Sequence, residues 1–366
     1  MSALSSALPD FPWDLLEPAK KLAAAHPGGI VDLSIGTPVD PVPASVRQAL
    51  ADASDAPGYP LTAGTPQLRA AIAGWLAREC RASGDLGVLP TIGSKELVAW
   101  LPTLLGVGPG DVVVIPSVCY PTYEVGVRLA GAEVVRSDSL TALGPDRRIK
   151  LIWINSPSNP TGRVLPEQHL RKVVDWARER GVTVVSDECY LSLGWETTPV
   201  SVLDDRVTGG DHTGVLAVHS LSKRSNLAGY RAGFVGGDPA LVAELLAVRK
   251  HGGMIVPAPV QAAMVAALTD ERHVAEQRER YAARREILRS ALVKAGFEIS
   301  HSEAGLYLWA TRDEDCWVTV DRLAKRGILA APGAFYGPAA ARHVRIAMTA
   351  TDERVAAAAD RLSEPF

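Results

Sequence analysis

The sequence predicts an α/β protein, with a large doubly wound, mainly parallel seven-stranded sheet followed by a smaller α+β domain. Two observations carry this. Between about 88 and 236, seven short Val/Ile-rich runs alternate with segments of helical period. After 257 the pattern changes to long helical text broken by two strand-like pieces. Short continuous apolar runs are the mark of strands buried on both faces. Strands alternating with helices imply right-handed crossovers onto one sheet.

The elements follow in order. The first ~40 residues are rich in Pro and Gly and are expected to pack beside the smaller domain, because the central sheet does not need them. The seven runs are VLPTI (88–92), VVVI (112–115), AEVV (132–135), LIWIN (151–155), VTVVS (182–186), VLAVH (215–219) and GFVG (233–236). Among the intervening segments, PEQHLRKVVDWARERG (166–181) puts Leu170, Val173, Val174 and Ala177 on one helical face, with Pro166 opening it and Gly181 ending it. A charged stretch over 270–296 reads as one long amphipathic helix, and LYLWAT (306–311) and HVRIAMT (343–349) as strands. The expected divisions are an N-terminal segment 1–40, a large domain 41–269 and a small domain 270–366.

Composition excludes several functions. The 366 residues are 47% hydrophobic and 22% charged, which argues for a folded core rather than disorder. A net charge of −3 lacks the basic excess of a nucleic-acid binder. No apolar run approaches the ~20 residues of a membrane span, and no secretory leader pattern opens the chain, so a cytoplasmic protein is expected. Cys80, Cys119, Cys189 and Cys316 form no C-x-x-C pair and no H-E-x-x-H run occurs, so no metal site is expected. Gly106, Gly108 and Gly110 precede a strand instead of following one, so they make a turn and not a dinucleotide fingerprint.

Open α/β sheets bind ligands beyond the carboxyl ends of their strands. Five such ends carry polar text: Gly93-Ser94-Lys95-Glu96, Ser117 to Tyr120, Asn155 through Asn159 to Gly162, Asp187 to Tyr190, and Ser220-Leu221-Ser222-Lys223 with Arg231 beyond. Gly93 and Ser94 at a helix start suit a phosphate, and Ser220, Ser222 and Arg231 add hydroxyls and a fixed positive fork. Asp187, directly after a buried strand, needs a cationic partner or several hydrogen-bond donors. Tyr120 offers an aromatic face, and Lys223 sits where burial and neighbouring cations favour a Schiff base. Phosphate, ring, protonatable ring nitrogen and aldehyde together describe pyridoxal 5′-phosphate.

These residues fall in SIGTP (34–38), YPLTAGTPQLRAAIA (59–73), GSKEL (93–97), NSPSNPTG (155–162), SDECY (186–190), SLSKRSNLAGYRAGF (220–234) and HVRIAM (343–348). In that order the chain resembles the class I/II aminotransferases of PLP fold type I over nearly its whole length. RKHGGMIVPAPVQAAM (249–264) and the Ala- and Arg-rich composition are similar to the actinobacterial succinyldiaminopimelate aminotransferase group.

The resemblance implies roles. Lys223 binds the cofactor aldehyde and moves the substrate proton, Asp187 keeps the ring nitrogen protonated, and Tyr190 and Asn159 bond the phenolic oxygen. Tyr120 stacks on the ring; Gly93, Ser94, Lys95, Ser220, Ser222 and Arg231 surround the phosphate; Tyr59 reaches the phosphate of a neighbouring subunit, which implies a homodimer with shared sites. Arg345 takes the substrate α-carboxylate, helped by Asn159 and the backbone at Gly36. The ordinary alternatives are a helix cap for Asp187, a surface residue for Lys223 or Arg345, core packing for Tyr120, and turn residues for Tyr59 and Gly36. The implied activity is amino transfer from glutamate to an oxo acid, N-succinyl-2-amino-6-oxopimelate first, for lysine and diaminopimelate synthesis. Aromatic, alanine or broad-range aminotransferases and carbon–sulfur β-lyases are the alternatives. A PLP-binding regulator is disfavoured by the short leading segment and the acidic charge.

Overall fold

The computed structural model describes residues 4–364, so the first three residues of the expected N-terminal segment lie outside the described residues. The central sheet has seven strands: β1 (Gly87–Ile92), β2 (Val112–Ile115), β3 (Glu133–Arg136), β4 (Ile149–Asn155), β5 (Thr183–Asp187), β6 (Val215–Ser220) and β7 (Ala232–Gly237). Their order is β1-β7-β6-β5-β4-β2-β3, and only β7 runs against the others. All seven apolar runs are strands, each within about two residues of the expected bounds.

Both faces of the sheet are covered, which explains why the runs are continuous rather than alternating. Along β4, Ile152 and Ile154 point to one side and meet Leu170, Val173, Val174 and Ala177 of the helix Glu167–Arg178. Leu151 and Trp153 point to the other and meet Leu97, Val98 and Leu101 of the helix Gly93–Leu104 and Tyr123 and Val127 of the helix Thr122–Ala130. Burying one such Leu or Val contributes about 1.5–3 kcal/mol. Helix starts are capped: Thr65 Oγ1 accepts from the Leu68 N–H at 3.1 Å before the helix Pro66–Glu79.

The second sheet is antiparallel, with β8 (Glu298–Ser300), β9 (Tyr307–Thr311), β10 (Ala331–Pro332) and β11 (His343–Ala347) in the order β10-β11-β9-β8. The long charged stretch forms the helix Arg272–Lys294. In the leading segment, Val31 and Asp32 pair in parallel with Ile328 and Leu329, and Leu16, Ala23, Val31 and Leu33 share a core with Leu308, Leu323, Val344 and Ile346. Among the described residues, no helix is long and apolar enough to cross a membrane.

Candidate active site

The site forms where β1, β4, β5 and β6 end. Asn155 closes β4 and ties two loops together: its Nδ2 donates to the Asp187 and Pro157 carbonyls at 2.9 and 3.1 Å, and its Oδ1 accepts from the Asn159 N–H at 2.7 Å. Asn159 is thereby fixed beside the end of β5, where Asp187 sits. Because β7 runs backwards, its first residues also lie at this edge. Arg231, just ahead of β7, therefore joins the strand ends although it precedes a strand.

A cavity of about 360 Å³ opens here. Its walls include Gly36, Ser94, Lys95, Tyr120, Asn159, Asp187, Tyr190, Ser220, Ser222, Lys223, Arg231 and Arg345. The structure thus brings together every expected site residue except two. Gly93 lies just behind the wall, with Arg231 packed on it. Tyr59 is 98% exposed and outside this cavity.

Three groups in the wall are chemically incomplete. Asp187 is buried and accepts from the Tyr123 hydroxyl at 2.8 Å, the Cys189 N–H at 3.2 Å and the Cys189 thiol; no cation pairs with it among the described residues. Burial pushes its carboxyl above the usual range, against the Cys189 thiol, the Tyr123 hydroxyl and the Cys189 N–H. Burial raises the Tyr123 phenol too, and the Asp187 charge adds to this, so Tyr123 remains a donor. Arg345 is 2% exposed and gives Nη1 to Asn159 Oδ1 at 2.9 Å and Nη2 to the Ser34 carbonyl at 2.6 Å. Among the described residues its Nε has no partner and no carboxylate reaches it, so three of its five N–H groups remain for a ligand. Lys223 Nζ donates to the Gly36 carbonyl. Burial pulls its pKa down; Tyr307 and Cys189 oppose this, while Arg345 and Arg231 add to it.

Ser94, Ser220, Ser222 and Arg231 line the same cavity as Arg345. Arg231 adopts φ 55°, an unusual left-handed backbone that aims its side chain across Gly93, and its Nη1 donates to the Ala228 carbonyl at 2.9 Å. Gly93 itself has φ +68°, and a Cβ there would lie 2.4 Å from Arg231 Nη2. Gly93→Ala is therefore expected to cost about 1–3 kcal/mol of stability and to displace Arg231. The checks are a lowered Tm in thermal unfolding and weaker cofactor retention on dialysis; an unchanged Tm would contradict the packing.

This donor set fits pyridoxal phosphate. The ring nitrogen would supply the cation that Asp187 lacks, the hydroxyls and Arg231 suit the phosphate, and Lys223 is a buried amine with a lowered pKa. Local sequence did not reveal four contributors. Tyr123 holds Asp187 from a separate helix, Tyr307 lies 3.1 Å from the Tyr190 hydroxyl, and Phe11 and Trp13 of the leading segment line the cavity mouth. The pattern of alternating burial could not have found Tyr307, because β9 is buried from Tyr307 to Ala310 on both faces.

Comparison with known proteins agrees with this chemistry. Residues 29–362 match the profile of aminotransferase class I and II. The chain is 65% identical over 362 residues to a probable aminotransferase of Mycobacterium tuberculosis, covering 98% of this chain and 86% of that protein. It is 61% identical over 357 residues to the 4-dedimethylamino-4-oxo-anhydrotetracycline transaminase of Streptomyces rimosus, covering 97% and 99%. Among solved structures, a probable N-succinyldiaminopimelate aminotransferase of Thermus thermophilus superposes with a TM-score of 0.88 at 30% identity, covering 97% of this chain and all of that one.

Proposed function

We propose, from the premise that this chain belongs to the class I and II aminotransferases, that it passes the amino group of glutamate to N-succinyl-2-amino-6-oxopimelate. The chain is a PLP-dependent aminotransferase of fold type I; the donor, the acceptor and the residue roles are the proposal. When bound, the cofactor supplies an aldehyde that condenses with amines and a ring that withdraws electrons.

The protein's own residues do the rest. Arg345 grips the α-carboxylate shared by every amino and oxo acid substrate, and Asn159 holds the guanidinium in place. That grip sets the Cα–H bond where the Lys223 amine can take the proton and return it. Asp187 stays anionic against the ring nitrogen. Tyr190 and Asn159 donate to the phenolic oxygen, and Ser94, Ser220, Ser222 and Arg231 hold the phosphate, with Lys95 beside them. Lys95 is a cation whose pKa burial, then Arg231, push down; its Nζ lies 5.4 Å over the Phe11 ring and has no carboxylate partner among the described residues. It suits the distal carboxylate of a dicarboxylic substrate. Tyr59, exposed and unused within this protomer, serves the phosphate of a second copy, so the working unit is a homodimer in the cytoplasm.

The observation that carries the reading is buried Arg345, without a carboxylate partner among the described residues and lining the same cavity as Lys223. A second acceptor class has its own support. Phe11 is half exposed and packs at 5.7 Å against Trp13, which packs at 5.6 Å against Phe335, giving the cavity mouth an aromatic rim. Such a rim suits a fused-ring oxo substrate, as in the Streptomyces relative.

The test is release of 2-oxoglutarate from glutamate with the two acceptors offered separately. Turnover only with the succinylated oxo acid supports the first reading, and turnover only with the ring ketone replaces it with the second. Pyruvate and ammonia from a cysteine conjugate, with no amino transfer, would sink both.

A further inference from the structure

Tyr307 plays no part in the roles above, yet its hydroxyl lies at their centre. It is 3% exposed and lines the cavity. Its hydroxyl is 3.1 Å from that of Tyr190, with the two rings edge to face at 5.7 Å. The Arg345 guanidinium lies flat on its ring at 3.9 Å. A Cβ at Gly36 would stand 2.2 Å from the Tyr307 oxygen, so the leading segment keeps a glycine where that hydroxyl needs room.

We propose that Tyr307 is a positioning residue that acts through Tyr190: its hydroxyl donates to the Tyr190 oxygen and so turns the Tyr190 proton toward the cofactor's phenolic oxygen. This rests on the cofactor assignment above.

The direction of that bond follows from the surroundings. A phenol has one proton and two acceptor sites, so only one member of the pair donates to the other. Burial would push the Tyr307 phenol up, but Arg345 and then Lys223 outweigh it and bring it down, with Tyr190 helping and Cys189 opposing. Tyr190 is pushed up, by burial first and by Tyr307 next. Tyr120, Tyr281 and Tyr336 complete the ring of titratable neighbours and are all raised, by burial first. The more acidic phenol is the better donor, so Tyr307 gives and Tyr190 receives. A hydroxyl that accepts a hydrogen bond becomes a stronger donor in turn.

The consequence is readable in a proton equilibrium. Tyr190 and the nitrogen that joins Lys223 to the cofactor compete for the same phenolic oxygen. Weaker donation from Tyr190 lets that nitrogen keep its proton to higher pH. In full-length Tyr307→Phe loaded with pyridoxal phosphate, which keeps the ring on Arg345, the pH midpoint of the visible absorption band is expected to rise by about 0.5–1 unit, equivalent to about 3- to 10-fold in proton affinity. The KM for the amino donor should stay the same, because the carboxylate grip is intact, while kcat falls.

Tyr190→Phe should shift the midpoint at least as far. Adding Tyr307→Phe to it should move it no further, since one residue acts through the other. A midpoint in Tyr307→Phe equal to that of the unaltered protein overturns the proposal. So does an undiminished further shift on the Tyr190→Phe background. An unaltered protein with no visible band would instead overturn the cofactor assignment, so the two failures are distinct.

Discussion

Replacing Lys223 by alanine is expected to slow amino transfer by roughly 10²–10⁴-fold, the span typical of a lost proton-transfer group. An ammonium removed from water is disfavoured, and Arg345 and Arg231 nearby reinforce the effect, so Lys223 holds a neutral amine at lower pH than a surface lysine. A neutral amine is both the nucleophile for an aldehyde and the base for a Cα proton. Borohydride treatment followed by peptide mass mapping should place a pyridoxyl adduct on position 223, and the alanine variant should lose the adduct and the visible band after dialysis. Lys95→Ala is the internal control: that amine shares the cavity but stands over Phe11, so the band should survive its loss. An adduct on Lys95, or a band unaffected by Lys223→Ala, would refute the assignment of the amine.

The second large effect is expected at Arg345. Arg345→Lys keeps a positive charge but replaces a planar fork by a point charge. It leaves Asn159 Oδ1 and the Ser34 carbonyl without their donor and gives the α-carboxylate no paired N–H groups. Truncating one side of a buried, hydrogen-bonded charge pair costs about 2–5 kcal/mol. That corresponds to a loss of roughly 30-fold to several thousand-fold in kcat/KM, with the KM of every amino donor raised together. Retention of the cofactor on dialysis should be unaffected, because Arg345 lies on the second sheet and touches none of the proposed phosphate ligands. A variant with an unaltered KM would mean that the carboxylate is held elsewhere.

Much of this was legible along the chain, and the rest was hidden for physical reasons. Strand and helix positions were readable because burial on both faces leaves continuous Val/Ile runs, and because Leu170, Val173, Val174 and Ala177 mark one helical face. The residues gathered in the cavity were readable where they end a strand or come soon after one, as Asp187 ends β5 and Lys223 follows β6. Strand direction was not, since an apolar run reads the same either way; the reversal of β7 appears only in its pairing with β1 and β6. Long-range partners were equally silent. Tyr123 bonds Asp187 from the neighbouring helix, and Gly36 meets Tyr307 from the far end of the chain. No local period encodes either contact.

The reversed strand also decides how the work is shared. Lys223 and Arg231 both lie in the one connection between β6 and β7, which carries two short helices, so on the proposed assignment that connection would hold the aldehyde end and the phosphate end of the same small molecule. Arg345 belongs to a different sheet, built from a different stretch of sequence. On the proposed assignment, the vitamin is anchored by one body and the guest by another. New guests could then be recruited by remodelling the second body and the aromatic doorway without loosening the anchor.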